Sequence, residues 1–330
     1  MKEQNIAIIG GAGFVGSRLA KYFDRKNLKY LIYDINTKLK TNDIVYLNVE
    51  DSNSFEGLKE SSIIINLAAE HRDDVRPLTR YDDVNVQGAV NTCEAASKYG
   101  IQKIIFTSSV AIYGFTSEEI DEYGSPNYFN DYGRTKFLAE GVYKKWQEED
   151  PNNRALVIIR PTVIFGEGNR GNVYNLLKQI ASGKFAMFGN GKNKKSMAYV
   201  ENVAAFLEYS LKFKPGIHIY NYIDKPDFDM NTLVSATRKI LFNKDNIGLK
   251  LPSFIGITIG HIADMISYLI NKPLPISSIR VKKFMANTQF SSATKSSGFI
   301  APVSLEDGLS RTIRYEFIEE NSHNRTFHSE

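Results

Sequence analysis

The chain has 330 residues, 42% hydrophobic and 24% charged, a balance that excludes a disordered polymer and leaves room for one large domain or two unequal ones. Its formal net charge of +4 is mild and contains no basic run of the length expected of nucleic-acid arms, so nucleic acid is not an expected partner. The single cysteine, Cys93, rules out an intramolecular disulfide and any cysteine-rich metal site, and suits a reducing compartment.

The first residues, MKEQNIAIIGGAGFVG, lack the charged start, long apolar run and small-residue cleavage site of a secretory signal, so a cytoplasmic protein is expected. NIAIIG (5–10) reads as a strand and 13–26 as a helix. Between them Gly10, Gly13 and Gly16 stand at G-x-x-G-x-x-G spacing, which permits a tight turn and lets backbone N–H groups approach a pyrophosphate at the positive helix end. Phe14 and Val15 lie inside that turn and join the expected cofactor set. The next strand, YLIYD (30–34), ends at Asp34, where a carboxylate would accept from the adenosine ribose hydroxyls and repel a 2′-phosphate. Ile35 follows, rather than the basic residue of a 2′-phosphate site, so NAD is expected over NADP.

Further strands are read at 63–69, 101–109 and 154–161, and helices at 81–99 and 130–149. The strands are nearly all apolar and rich in Ile and Val, as strands covered on both faces must be. The alternation predicts an α/β fold: a doubly wound, Rossmann-like parallel sheet with a second, smaller substrate-binding domain. The expected division gives residues 1–165 and about 197–224 to the NAD-binding domain, and about 166–196 and 225–330 to the substrate domain. Within the latter, SFIGITIGHIADMISYLIN (253–271) is apolar but interrupted by Gly256, Gly260, His261 and Asp264. It reads either as a buried helix or as one lying at a membrane interface.

The chemical end is read from DYGRTK (131–136). Tyr132 and Lys136 stand four apart, hence on one helix face, where an ammonium could favour a phenolate base. The same spacing recurs at Tyr22/Lys26, Tyr99/Lys103, Tyr174/Lys178 and Tyr268/Lys272, so context must choose. The strand FTSSVAIYGF (106–115) brings hydroxyls to the carboxyl edge of the sheet, where such folds bind ligands, and the next helix is the one carrying Tyr132. A tyrosine with an ordinary pKa of ~10 needs roughly 4 kcal/mol of help to ionise near neutrality. An ammonium at ~4 Å supplies about that before desolvation.

With the glycine turn, the NLAA strand end (66–69), the serine strand and Y-x-x-x-K in this order, the chain resembles, nearly end to end, the extended short-chain dehydrogenase/reductase family, in its sugar epimerase and dehydratase branch. The resemblance implies an isomerase with Tyr132 as catalytic base, Lys136 on the nicotinamide ribose and Ser109 on the reacting sugar hydroxyl. It places Asn48, Val49, Leu67, Ala68, Ala69, Asn85, Ser108 and Pro161 beside NAD, and it calls for no metal. Val110 and Ala111 follow Ser109 where 4,6-dehydratases carry an acidic pair, so a 4-epimerase is the better match. The blocks at 160–185, 195–203 and 277–290 are similar to those of bacterial epimerases acting on N-acetylglucosamine and N-acetylgalactosamine linked to undecaprenyl diphosphate. That implies a lipid-linked amino sugar as substrate, with Asn172, Lys195 and Arg280 binding it.

Lys195 stands where nucleotide-sugar epimerases carry a diphosphate-binding arginine, and no R-x-G-D-like stretch occurs near 280–290. A UDP-hexose 4-epimerase without those arginines and, from another class, a dinucleotide-sensing binding protein remain as alternatives. The family's habit further implies a homodimer through 81–99 and 130–149. Lys195, Arg280, Lys282 and Lys283 near the apolar 253–271 stretch suggest peripheral contact with an anionic membrane.

Overall fold

The computed structural model describes residues 5–38, 44–72, 75–115, 118–270, 272, 278–321 and 325–328. Its strands are β1 (Ile6–Ile9), β2 (Tyr30–Asp34), β3 (Ile44–Tyr46), β4 (Ile63–Asn66), β5 (Lys103–Thr107), β6 (Ala155–Pro161), β7 (Val163–Phe165), β8 (Ala186–Phe188), β9 (Lys194–Tyr199), β10 (Gly216–Tyr222), β11 (Asp224–Asp229) and β12 (Leu249–Leu251). The helices are α1 (Phe14–Arg25), α2 (Thr79–Tyr81), α3 (Gly88–Tyr99), α4 (Asp131–Glu148), α5 (Asn172–Ala181), α6 (Val200–Tyr209), α7 (Met230–Phe242), α8 (Ser253–Ile270), α9 (Ser278–Met285) and α10 (Leu305–Phe317).

Seven strands form one parallel sheet in the order β10-β6-β5-β4-β1-β2-β3. This is the doubly wound architecture expected from the alternating pattern. The alternation of side chains along each strand divides the core in two. Ala7, Ile9, Ile64, Ile104 and Leu156 pack with Ala96, Ala139 and Tyr143 from α3 and α4. Ile6, Ile8, Ile65, Ile105 and Val157 pack on the other face with Leu19, Phe23, Val203 and Phe206 from α1 and α6. Chain order reverses between β1 and β4, so their carboxyl ends open the crevice in which such sheets hold ligands.

The remaining strands build a three-stranded sheet, β11-β9-β7, and a β12-β8 pair around a third core that includes Phe165, Leu177, Met187, Tyr199, Leu233 and Leu309. One element departs from the sequence expectation. The helix expected over 81–99 begins with a wider π-helical stretch, Asp82–Gln87, between α2 and α3. For α8, which the sequence left as either a buried or an interfacial helix, the large apolar face is not buried. Its buried residues are the small ones, Gly256, Gly260 and Ala263, with Gly256 seated against Phe188. Its large apolar residues point outward, with Phe254 66%, Met265 58%, Tyr268 86% and Leu269 72% exposed. Small residues let the helix approach the body closely, and the apolar bulk is left on the surface.

Candidate active site

The phosphate end is built by close backbone approach. Gly10 has φ +74°, and a methyl group there would come within 2.7 Å of the Ala68 amide nitrogen. Gly16 is required by its own loop, since a methyl group on it would lie 2.5 Å from Gly11 Cα. Gly11, outside the G-x-x-G-x-x-G register, is therefore as constrained as the glycines within it. Gly13 is the residue before the first turn of α1 and offers no side-chain cap, leaving the backbone N–H groups of Phe14 and Val15 at an open helix start. Asp34 closes β2 with its Oδ2 accepting from Ala12 N (3.0 Å) and its Oδ1 from Asn36 N (2.9 Å), so it orders the loop that carries the glycines.

At the chemical end, Ser109 follows β5 in extended conformation, and its Oγ accepts from Ala111 N (3.1 Å), starting the short turn Val110–Tyr113. Asn130 caps α4 through Gly133 N (2.9 Å), so the helix starts just before Tyr132. Burial pushes the Tyr132 phenol up from its ordinary value, and the nearby Ser109 hydroxyl pulls it partly back. Lys136, one turn along, is 2% exposed, with its Nζ 4.4 Å from the centre of the Phe106 ring. Burial brings it down to about 7, with the Glu140 carboxylate opposing. Desolvation therefore works against both charged forms, and the free protein holds Tyr132 as the phenol. Of the five Y-x-x-x-K pairs, this one shares a site with Ser109.

The other expected residues fall into distinct groups. Leu67 donates to Ile9 O (2.9 Å) and Ala68 to Asn66 Oδ1 (3.0 Å), which sets the NLAA segment against Gly10. Ser108 is buried, and its Oγ has no partner among the described residues. Asn85, in the π-helical stretch, donates to Glu70 O (3.0 Å) and Thr135 Oγ1 (2.9 Å) and accepts from Glu70 N (2.9 Å). Its amide thus ties the segment after β4 to α4. Asn48 Oδ1 is occupied by Glu50 N (3.1 Å), and Val49 is core. Pro161 ends β6. Asn172 begins α5 and is exposed. Lys195 on β9 gives two bonds, to Ala286 O (2.6 Å) and Thr288 Oγ1 (3.0 Å), and burial lowers it to about 8. The backbone of Arg280 lies in α9, and its side chain falls outside the described residues.

Two groups that the motifs did not single out complete the site. His71, two residues past the NLAA segment, is held below its ordinary value by burial and feels the charge of Lys136. Glu140, fully buried one turn past Lys136, receives a bidentate pair from Arg160, Nε to Oε1 at 2.8 Å and Nη2 to Oε2 at 2.6 Å. An acidic residue four positions beyond Lys136 was the available signal for this pair. The absent side chains at Gly10 and Gly16, the Asp34 carboxylate at the end of β2 and the unpartnered Ser108 hydroxyl together fit a dinucleotide.

Residues 6–221 match the NAD dependent epimerase/dehydratase family. The chain belongs to this family. A curated relative in Escherichia coli O157:H7, named N-acetyl-alpha-D-glucosaminyl-diphospho-ditrans,octacis-undecaprenol 4-epimerase, is 47% identical, the alignment covering 99% of this chain and 100% of the relative. A UDP-glucose 4-epimerase of Vibrio cholerae is 29% identical over 61% of this chain and 64% of its own length. Among solved structures, UDP-N-acetylglucosamine 4-epimerase from Bacillus cereus superposes with TM-score 0.74 at 16% identity, covering 94% of this chain and 98% of that one. Burying Lys136 carries a cost that can be measured. Lys136→Met is expected to abolish turnover and weaken NAD, yet to raise the melting temperature of the NAD-free protein. The folded lysine sits at about 7 against an ordinary 10.5, so its burial penalty is complete below pH 7. Folding stability of the wild type then recovers as pH rises from 7 to 10.5. The gap between variant and wild type in thermal melts should close over that window, and a constant gap would contradict the assignment.

Proposed function

We propose that the protein is a 4-epimerase interconverting N-acetylglucosamine and N-acetylgalactosamine linked to undecaprenyl diphosphate, at the cytoplasmic face of a bacterial membrane, for surface polysaccharide synthesis. The observation that carries this reading is the 47% identity running through both halves of the chain to an enzyme of that name. NAD, when bound, supplies the hydride acceptor. Ser109 orients the sugar C4 hydroxyl, and Tyr132 takes its proton as the C4 hydride leaves. Lys136 holds the ribose and, once charged, stabilises the phenolate. The 4-keto sugar turns over in the site, the hydride returns to its other face, and Tyr132 gives the proton back. No net reducing equivalent is consumed, so NAD stays bound between cycles.

Three further features support the lipid carrier. A polyprenyl diphosphate keeps its charge at the membrane surface and its tail in the bilayer, which asks for an apolar face beside cations. The outward bulk of α8 provides the former, with exposed Lys250 and Lys282 on neighbouring segments. Asp264 of α8 accepts from Ser278 N (3.2 Å), fastening the helix to α9 so that it lies on the body rather than across a bilayer. Each exposed lysine near an anionic surface contributes ~1 kcal/mol, so contact would be reversible and salt-sensitive. The proposal extends to a homodimer, since α3 and α4 pack side by side and leave Glu94 and Leu138 on an outer face suited to a second copy.

The nucleotide-sugar reading draws on the Vibrio cholerae relative and is settled by the same assay. Polyprenyl-diphosphate-linked N-acetylglucosamine should be turned over with a kcat/KM about a hundredfold or more above that of UDP-N-acetylglucosamine. The opposite order would reject the lipid carrier while leaving the Ser109/Tyr132/Lys136 chemistry in place.

A further inference from the structure

We propose that Arg325, carried back over the glycine loop by the C-terminal segment, is part of the dinucleotide site. There it closes the adenosine-ribose end, slows NAD release and softens the refusal of a 2′-phosphate. Arg325 Nη2 donates to Ala12 O (2.7 Å), while Ala12 N donates to Asp34 Oδ2 (3.0 Å). One residue of the glycine loop is thus gripped at both ends, by a cation on its carbonyl and by the ribose-facing anion on its amide. The approach is built by more than this bond. Phe327 N donates to Gly168 O (2.8 Å), and Arg170 N donates to Phe327 O (2.7 Å), a short parallel bridge. The Phe327 ring lies 5.6 Å from Phe14, the first residue of α1, and the Arg325 guanidinium lies 4.4 Å from the Phe327 ring centre. Arg170 is itself paired with Glu316 on α10 at 2.7 Å, which anchors the bridge to the third core.

The chemistry follows from the pairing. A carboxylate alone at the end of β2 accepts from ribose hydroxyls and repels a 2′-phosphate. Asp34 is followed by Ile35, so no cation stands directly after it. Arg325 brings one from the other end of the chain, close enough that the charge of Asp34 counters the effect of burial on it. The residue remains exposed, and a guanidinium has five N–H donors, so the bond to Ala12 leaves donors for a ligand. The loop it fixes is the one whose N–H groups receive the pyrophosphate, so holding it still should slow release. This inference rests on the dinucleotide site and is independent of the sugar carrier.

The test uses the full-length protein and reads cofactor binding rather than turnover. Dissociation of NADH is followed by stopped-flow fluorescence, and equilibrium affinities for NADH and NADPH are measured for wild type, Arg325→Ala, Arg325→Lys and Phe327→Ala. Arg325→Ala should release NADH about tenfold faster and lose about tenfold more affinity for NADPH than for NADH. Arg325→Lys should recover part of the NADPH affinity. Phe327→Ala, which loosens the strap and keeps the cation, should speed release without changing the NADH-to-NADPH ratio. Equal losses for both cofactors in Arg325→Ala would reduce the strap to a prop and overturn the ribose-end role. An unchanged NADH release rate in both the alanine and lysine variants would overturn the proposal as a whole.

Discussion

Tyr132→Phe is expected to lower kcat by about a hundred- to ten-thousand-fold while the purified protein keeps its full complement of NAD. The change removes one oxygen beside the Ser109 hydroxyl, and the ring continues to fill its place at the start of α4. Cofactor retention should survive because the residues proposed to hold the pyrophosphate end, from Gly10 to Gly16 with Asp34, lie on other elements. In the proposed mechanism, what is lost is the group that accepts the C4 hydroxyl proton, so hydride would have to leave a neutral alcohol. Sugar interconversion should be followed by chromatography, and NAD content should be measured after denaturing the protein. A variant that keeps more than about a tenth of wild-type kcat would move the base elsewhere, and His71 would be the first residue to examine. It is titratable, it feels the charge of Lys136, and it stands at the strand end next to the cofactor segment.

Legibility in the sequence followed the range over which each contact is made. The parallel sheet was readable because strands covered on both faces must be apolar throughout, and the glycine turn because its spacing lies within seven residues, although the contact that constrains Gly10 comes from Ala68. Tyr132 and Lys136 were readable because four residues make one helical turn. Other features depend on distant chain. Asn85 reads as an ordinary polar residue until the π-helical stretch turns its amide between Glu70 and Thr135. The apolar run at 253–271 has the same composition whether its bulk faces in or out. Only packing on Phe188 shows that the glycines took the inner side. Spacing registers the charge of Lys136 but not the burial that lowers it, which only the fold supplies. Arg325 was out of reach altogether, because nothing near it in the chain marks it as a neighbour of Asp34.

Arg160→Met is expected to destabilise the fold by about 3–5 kcal/mol, more than any surface pair could account for, because it strands a buried carboxylate. Glu140 is fully buried, and its two oxygens take the two arms of the Arg160 guanidinium. Lys144 Nζ, at 3.7 Å, is a further cation close to it but lacks the planar fork that would replace the pair. Arg160 also donates to Tyr113 OH (2.6 Å) and to Glu122 O (3.0 Å), and Tyr113 OH donates to Asn221 Oδ1 (3.0 Å). One guanidinium on β6 therefore joins α4, the turn after Ser109 and the end of β10. Its loss should lower both the denaturation midpoint and kcat, because the helix carrying Tyr132 and Lys136 would no longer be fixed to the turn that Ser109 starts. The double variant Arg160→Met/Glu140→Leu distinguishes a stranded charge from a lost scaffold. Removing both charges should return most of the stability, since an apolar pair of similar volume packs without desolvation cost. It should not return kcat to the same extent, because Tyr113 and Glu122 would still lack their donor. If the double variant were no more stable than Arg160→Met alone, the penalty would lie in those outer hydrogen bonds rather than in the buried Glu140 charge.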